Sequence, residues 1–201
     1  MIKKLLCLVF ALALLVPAAA MADTFTVSSY SVTLNTVDPG LVLNWAPALA
    51  TPYSFNLNPG QSTGWFNLFD LWTNETAVNL GEDTVPKPIS VTMNFSQPIA
   101  SGTVGGSTYG VYGVIQGGHV TWSAPVVVPF GNGGSFTMYL QDADFNMGVL
   151  GVNEGQKYGA DIYAKIKYNN SPSTVPEPGM LFLLSSSLVG LNGYLRKKKA
   201  S

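Results

Sequence analysis

The sequence predicts an all-β protein: a β-sandwich or jelly-roll domain flanked by an N-terminal signal peptide and a C-terminal single transmembrane helix. Three observations lead to this prediction. Between residues 23 and 169 the chain consists of short segments rich in Val, Ile, Thr, Tyr, Phe and Trp, which suit a half-buried pleated surface. Gly, Pro and Asn turns separate these segments, and no convincing run of helical period interrupts them. An apolar run with basic residues beside it lies at each end of the chain.

The N-terminus has the three parts of a secretory signal peptide, which we expect to occupy residues 1–22. Two lysines precede an apolar run over residues 5–16, and the small residues Ala20 and Ala22 form a cleavage site. We expect the mature chain to begin at Asp23. Because the apolar run is shorter than a membrane-spanning helix requires, cleavage is favoured over an uncleaved anchor.

The composition of the mature chain excludes several classes of site. Cys7, the only cysteine, lies in the predicted signal peptide, so no disulfide, thiol nucleophile or cysteine metal site remains. Roughly 150 residues are left between the targeting ends, enough for one domain with a sizeable core. In them four lysines face ten acidic residues, a net charge of −6. Such a domain repels phosphate backbones, which argues against nucleic-acid binding.

Nine short strands and a glycine-rich stretch account for the domain. In chain order, strands are predicted at residues 24–34, 41–45, 53–57, 65–72, 89–96, 119–123, 126–130, 135–141 and 160–168, with the glycine-rich stretch at 102–118. Asp38-Pro39-Gly40 and Asn58-Pro59-Gly60 are turns, because proline fixes φ and glycine permits positive φ. Residues 131–134 give a strong hairpin signal, and residues 79–88 form a polar loop.

The side-chain pattern of each segment supports its prediction. The three strands before residue 58 are rich in β-branched and aromatic types. Residues 65–72 carry large apolar side chains on both faces, so this strand is expected to be covered on both sides and central to the core. Residues 89–96 and 160–168 alternate between apolar and polar types, as expected for one buried and one solvated face. Seven glycines within residues 102–118 favour bulged or sharply bent strands.

The C-terminus also has three parts, which follow a polar spacer at residues 170–174. They are the motif Val175, Pro176, Glu177 and Pro178, an apolar run over residues 179–195, and the basic tail Arg196, Lys197, Lys198 and Lys199. As a helix the run measures about 25 Å, the short end of what can span a hydrocarbon core of about 30 Å. The basic tail is expected to stay cytoplasmic, and the prolines keep the junction extended and accessible to a processing enzyme.

This tail, over residues 175–201, resembles the PEP-CTERM sorting signal of bacterial exported proteins. The resemblance lies in the Val-Pro-Glu-Pro motif, the hydrophobic helix that starts with glycine, and the terminal Arg/Lys cluster, in combination with an N-terminal signal peptide. It implies that exosortase, a membrane-embedded cysteine transpeptidase, recognises and removes the tail. It also implies a Gram-negative, exopolysaccharide-producing source and a mature protein at the cell surface or in the extracellular matrix.

The sequence offers no catalytic residue. His119 is the only histidine, and no Gly-x-Ser-x-Gly elbow supplies a nucleophile for it, so a structural or surface role is expected. Asp142 and Asp144 lie two positions apart, too close for a sugar to fit between them in glycoside hydrolysis. With Asn146 they place oxygen ligands at every other position, like the opening of a calcium loop. The EF-hand pattern is incomplete, so a polar turn remains the alternative to a Ca²⁺ site.

Aromatic residues provide the remaining candidate site. Trp122, Tyr109 and Tyr112 lie next to glycine-rich turns and are the predicted platform for a ligand such as a sugar. Trp65 and Trp72 are expected in the core. The sequence thus favours a non-enzymatic surface or matrix protein with a structural or adhesive role, associated with biofilm or exopolysaccharide. The alternative is a carbohydrate-binding or carbohydrate-active β-sandwich module.

These predictions define partners and a route. Exosortase, and extracellular polysaccharide as a further candidate, are the expected partners, with transient contact to the membrane through the C-terminal helix. The protein is expected to be exported, to pass through an inner-membrane intermediate, and to finish at the cell surface or in the matrix. No cofactor is expected apart from the candidate Ca²⁺.

Overall fold

The all-β class is confirmed. A computed structural model of the protein describes residues 22–171, which form two antiparallel β-sheets packed face to face. The strands are β1 (Asp23–Thr33), β2 (Asn44–Pro47), β3 (Tyr53–Leu57), β4 (Phe66–Trp72), β5 (Lys87–Gln97), β6 (Ile99–Val111), β7 (Ile115–Trp122), β8 (Val126–Phe130), β9 (Gly134–Leu140), β10 (Ala143–Val149) and β11 (Ala160–Asn170). In this part of the chain the helical content is a single 3₁₀ turn, Gln156–Tyr158. The predicted signal peptide, most of the spacer and the C-terminal tail lie outside the described residues.

The two sheets differ in size and in the strands they combine. The six-stranded sheet has the order β10-β7-β6-β5-β1-β3, and the five-stranded sheet has the order β2-β4-β11-β9-β8. Neighbours in sequence pair directly in β5-β6-β7 and in the β8-β9 hairpin, which confirms the hairpin signal at residues 131–134. The other pairings join strands that are not consecutive in sequence, so the arrangement is β-sandwich-like and not a simple meander.

The core lies between the sheets and is built by alternation. Along β5 the residues from Ile89 to Phe95 at odd positions are at most 4% exposed, while the even positions face outward, which confirms the pattern predicted there. Phe95 packs on Phe136 of the five-stranded sheet with ring centroids 4.6 Å apart, and Phe25 packs on Tyr168 at 5.1 Å. Each such side chain contributes about 1.5–3 kcal/mol through burial.

The glycine-rich stretch contains no bulge, so the bulged alternative of that prediction is wrong. β6 runs unbroken for 13 residues and pairs with β5 and β7 without a register shift. The glycines serve close packing instead. A Cβ at Gly102 would collide with Val128 and Met138 across the core, and one at Gly118 would collide with the Phe145 ring. These positions are glycine because large side chains of neighbouring strands occupy the space above them.

Two further differences concern strand positions. The short strand expected at residues 41–45 is displaced, because β2 begins at Asn44 while Leu41 and Leu43 fill the core from a loop. β10 was not predicted as a strand, since its residues suggested a polar turn or cation loop. It pairs with β7 and forms an edge of the six-stranded sheet.

Candidate functional site

The outer face of the five-stranded sheet carries a row of two aromatic rings with a lysine between them. β11 pairs with β4 so that Ala164 lies opposite Phe66, and with β9 so that Lys165 lies opposite Tyr139. Trp65 directly precedes β4, and a bridge between Ser62 and Lys167 pairs the segment before it with β11. The hydrogen bond from the Thr63 amide to the carbonyl of Ile166, 2.9 Å long, keeps the segment before Trp65 along β11. The row therefore crosses three neighbouring strands.

In this row the lysine ammonium lies over both rings. The Nζ of Lys165 is 4.7 Å from the centroid of Trp65 and 4.6 Å from that of Tyr139. Trp65 is 45% exposed, so the prediction that it belongs to the core is wrong. Each cation–π contact at an exposed site contributes about 0.5–1 kcal/mol. The contacts hold the ammonium in place beside an open indole surface. We call these three residues the aromatic–lysine row.

The surroundings of the row are amphipathic. Lys167 is exposed on β11. Across the sheet it pairs with Thr137 of β9, which pairs with Val127 of β8, and Val127 is 60% exposed. Toward the other end of β11 the charge changes sign, and Tyr163 donates a hydrogen bond to Asp161 at 3.1 Å. That hydrogen bond raises the pKa of Tyr163. Two of the four lysines of the predicted domain thus lie at one end of this face.

The outer face of the six-stranded sheet is chemically different. Over β3, β1, β5 and β6 most of its outward positions are small hydroxyl and amide side chains: Ser54, Asn56, Thr24, Thr26, Ser29, Ser31, Thr33, Ser90, Thr92, Asn94, Ser101, Thr103 and Ser107. None of these outward positions carries a charge. We call this set the hydroxyl face.

Side chains of the hydroxyl face bond to each other across strands. Thr92 and Thr103 share a hydrogen bond of 2.8 Å, and Ser101 donates to the Asn94 side chain at 2.9 Å. Thr26 and Ser54 form a similar bond at 2.9 Å. Such cross-strand pairs stabilise the sheet by about 0.2–1 kcal/mol each. Because these groups satisfy part of one another's hydrogen-bonding capacity, the face offers a ligand fewer free donors than its composition suggests.

The predicted platform of Trp122, Tyr109 and Tyr112 does not form one surface. Trp122 is partly buried against the core, and its indole N–H donates to the carbonyl of Gln141 at 3.1 Å. Tyr109 lies on the outer side of β6, and Tyr112 is 54% exposed in the turn after that strand. Successive side chains of a strand point to opposite faces, so Trp122 and Tyr109 are separated by the sheet.

His119 forms a pair that the sequence analysis did not anticipate. Cross-strand register places it opposite Tyr109 on β6 and Asp144 on β10. Its Nδ1 is 2.5 Å from the Asp144 carboxylate, and its ring centroid is 5.3 Å from that of Tyr109. Among residues 22–171 no hydroxyl group hydrogen-bonds to the imidazole. The geometry therefore gives a surface His–carboxylate pair without the nucleophile that a hydrolytic triad needs.

The candidate Ca²⁺ ligands are directed to three different places. Asp142 accepts a hydrogen bond from the Trp122 amide at 2.7 Å, and Asp144 pairs with His119. Asn146 has φ of 54° at a register shift in β10, which turns its side chain into the interior. There its Oδ1 accepts from the Thr73 amide at 2.9 Å. The alternation that aligned the three oxygens in the sequence is interrupted at this point.

The described part of the chain contains neither a cluster of metal ligands nor a membrane-spanning helix. Within residues 22–171 no three His, Cys, Asp or Glu side chains come together in a metal-ligating group. The same residues contain no helix of sufficient length and hydrophobicity to cross a bilayer. In comparison with known proteins, no family model, no curated protein and no solved structure matches this chain.

Proposed function

We propose that the chain is an exported cell-surface or matrix protein whose β domain holds extracellular polysaccharide through the aromatic–lysine row. The observation that carries the proposal is the exposed indole of Trp65 beside a lysine ammonium that is fixed over two rings. Export and sorting are supported by the tail sequence, including its Val175 to Pro178 motif. The role is adhesive, and no chemical step is assigned to the domain.

The chemistry of the row suits a sugar polymer. Indole and phenol rings present flat apolar surfaces on which the C–H face of a pyranose can stack, with a polar edge that hydrogen-bonds at the rim. Trp and Tyr lose little side-chain entropy when they bind, which favours them as anchors. The Lys165 ammonium adds a positive charge between the rings. The domain as a whole carries a net charge of −6, but Lys165 and Lys167 make this end of the face locally positive. We therefore expect a polysaccharide that bears carboxylates to bind here more tightly than a neutral one of equal length.

Binding of purified protein to isolated polysaccharide tests the proposal. Trp65→Ala removes the exposed indole and should weaken binding to a carboxylated polysaccharide at least about tenfold, the range of a binding hot spot. Thr92→Ala on the opposite sheet is the matched control and should leave affinity within about twofold. Affinity measured by calorimetry, with circular dichroism to verify folding, decides the matter. Equal affinity of Trp65→Ala and the unaltered protein would contradict the proposal.

Sorting requires a separate test in cells. Mass spectrometry of the mature C-terminus, with and without the sorting protease, should find Arg196 to Ser201 removed only when the protease is present. Cleavage is expected near residues 176–179, where prolines keep the chain extended. An intact basic tail in the surface fraction of protease-positive cells would overturn the sorting proposal and leave the binding proposal standing.

A further inference from the structure

Asp83 is a buried carboxylate with half of its hydrogen-bonding capacity unused. The residue is 1% exposed. One oxygen, Oδ2, accepts from the Asn79 amide at 2.6 Å, but the other, Oδ1, is buried and has no hydrogen-bond partner. An unsatisfied carboxylate oxygen in the interior is costly unless a proton or a cation compensates it. The free oxygen of Asp83 therefore requires a proton or a cation beside it.

The loop after β4 holds Asp83 firmly in this position. The backbone carbonyl of Asp83 accepts a hydrogen bond from the Gly110 amide of β6 at 2.7 Å. A Cβ on Gly110 would lie 3.1 Å from the Asp83 Cβ, so the carboxylate is packed against the inner side of the six-stranded sheet. The side chain cannot escape to solvent by a change of rotamer alone without breaking its bond to Asn79.

A second carboxylate approaches the first. Glu75 accepts from the Val42 amide at 2.6 Å and lines an open pocket of about 490 Å³ with Asp38, Asn74 and Asn79. Burial, and then the nearby acids Asp83 and Asp38, raise the pKa of Glu75 to about 7. Asn79, whose amide bonds to Asp83, lines the same pocket as Glu75, so the two carboxyl groups share a neighbour. Like charges in such a site are costly unless a proton or a cation compensates them.

No basic side chain compensates the pair. Among residues 22–171 the one ion pair is that of His119 with Asp144. The aliphatic stem of Lys87 packs against Gly40, near Asp38, but its ammonium is not within ion-pair distance of a carboxylate. Because no third acidic, histidine or cysteine ligand joins the group, any further ligands must be amide and carbonyl oxygens from the loops and water.

We propose that Ca²⁺ binds between Glu75 and Asp83, with the free Oδ1 of Asp83 as the inner ligand and the pocket as the entry path. Ca²⁺ takes six to eight oxygen ligands in flexible geometry, including amide and backbone carbonyls and water. A site with two carboxylates fits the dissociation constants of about 10⁻⁴–10⁻³ M found in extracellular modules. The cation would bring together the two ends of the loop between β4 and β5, which carry Glu75 and Asp83. Glu75 in turn holds the loop after β1 through the Val42 amide. The rival is a proton shared by the two carboxyls.

A Ca²⁺ titration at pH 8 with thermal unfolding of the purified protein separates the two. CaCl₂ at about ten times the dissociation constant should stabilise the fold by about 1.4 kcal/mol and raise the melting temperature by about 3–6 °C, and MgCl₂ should raise it less. Glu75→Gln and Asp83→Asn should each weaken Ca²⁺ binding at least about tenfold in calorimetry. Asp142→Asn is the control: it removes an exposed carboxylate of the sequence-predicted site and should leave Ca²⁺ binding unchanged.

The pH dependence gives a second readout. Without Ca²⁺, the raised pKa of Glu75 means that the folded protein binds this proton more tightly than the unfolded chain. Stability should therefore fall as pH rises from about 4.5 toward and through 7, the window between the ordinary and the raised pKa of Glu75. Saturating Ca²⁺ should reverse that loss, and Glu75→Gln should remove both effects. The same pH dependence with no response to 10 mM Ca²⁺, or a Ca²⁺ response retained in both variants, would overturn the proposal.

Discussion

The two sheets of the sandwich follow the same alternation and share one apolar core, but their outer faces differ in chemistry. On its inner side the six-stranded sheet supplies glycines such as Gly102 and Gly118, and on its outer side hydroxyls that bond to each other. The five-stranded sheet supplies large inner side chains such as Phe136, and outside it exposes Trp65 over Lys165. The polar groups on the outer face of the six-stranded sheet are largely bonded to each other, whereas the outer face of the five-stranded sheet exposes an aromatic surface.

This difference teaches that polarity alone does not mark a binding face. The hydroxyl face is rich in hydrogen-bonding groups, yet many of them are engaged across strands, so a ligand would have to displace bonds already made. The aromatic–lysine row is smaller, but the exposed part of its indole contacts water, so a ligand that covers it displaces water and breaks no hydrogen bond within the protein. Transfer of such apolar surface out of water is favourable at about 25 cal/mol per Å². Affinity is therefore expected on the five-stranded sheet.

The largest effect should come from the inner glycines. Gly102→Ala places a methyl group against Val128 and the Met138 sulfur, and overpacking of this kind costs about 1–3 kcal/mol. Gly105 on the same strand is the matched control, since a Cβ there would meet only the Ser123 hydroxyl at 4.0 Å. Chemical denaturation should show a clear loss for Gly102→Ala and little change for Gly105→Ala. Equal stabilities would mean that the sheets are not in close contact at β6.

The strands could be predicted wherever the pattern is local. The alternation of residues 89–96 and 160–168 gave β5 and β11 nearly to their ends, because one buried and one wet face is imposed on each residue separately. The glycines of β6 were misinterpreted for the opposite reason. Glycine in a strand is typical both of a bulge and of a position where another side chain packs closely on the backbone. Only the residue across the core, such as Val128, distinguishes the two.

The candidate site could not be predicted from the sequence because it depends on the register between paired strands. Trp65 and Lys165 lie 100 positions apart, and the β4–β11 pairing that joins them contains a register shift between Ile162 and Tyr163. A count of alternating positions cannot place that shift. One signal for this site was present in the sequence. Lys165 and Tyr163 alternate with the apolar residues of β11, so both were expected on the outer face of the sheet. Similarly, the side chain of Asn146 points into the interior because its backbone has a positive φ. Asparagine tolerates this conformation, but its presence in the sequence does not predict it.

A charge reversal should produce the second-largest effect. Lys165→Glu replaces the ammonium between the rings with a carboxylate, which repels a carboxylated polysaccharide and removes both cation–π contacts. Affinity should fall at least about tenfold, or about 1.4 kcal/mol. Lys157→Glu is a matched control, since Lys157 also lies over a tyrosine ring, at 5.2 Å from Tyr158, but on the 3₁₀ turn. A similar loss in both variants would indicate a long-range charge effect and not a site.

The smallest expected effect compares the side-chain pairs themselves. In a double-mutant cycle, Trp65→Ala with Lys165→Met should give a coupling energy of about 0.5–1 kcal/mol toward unfolding, because the contact is exposed. Thr92→Val with Thr103→Val, whose hydroxyls are 2.8 Å apart, should give about 0.2–1 kcal/mol. The two faces would thus be nearly equal as contributors to stability, although only one is expected to bind polysaccharide. If the Trp65–Lys165 coupling reached several kcal/mol, the row would be a structural clasp, and its exposed indole would be a by-product of packing instead of a binding surface.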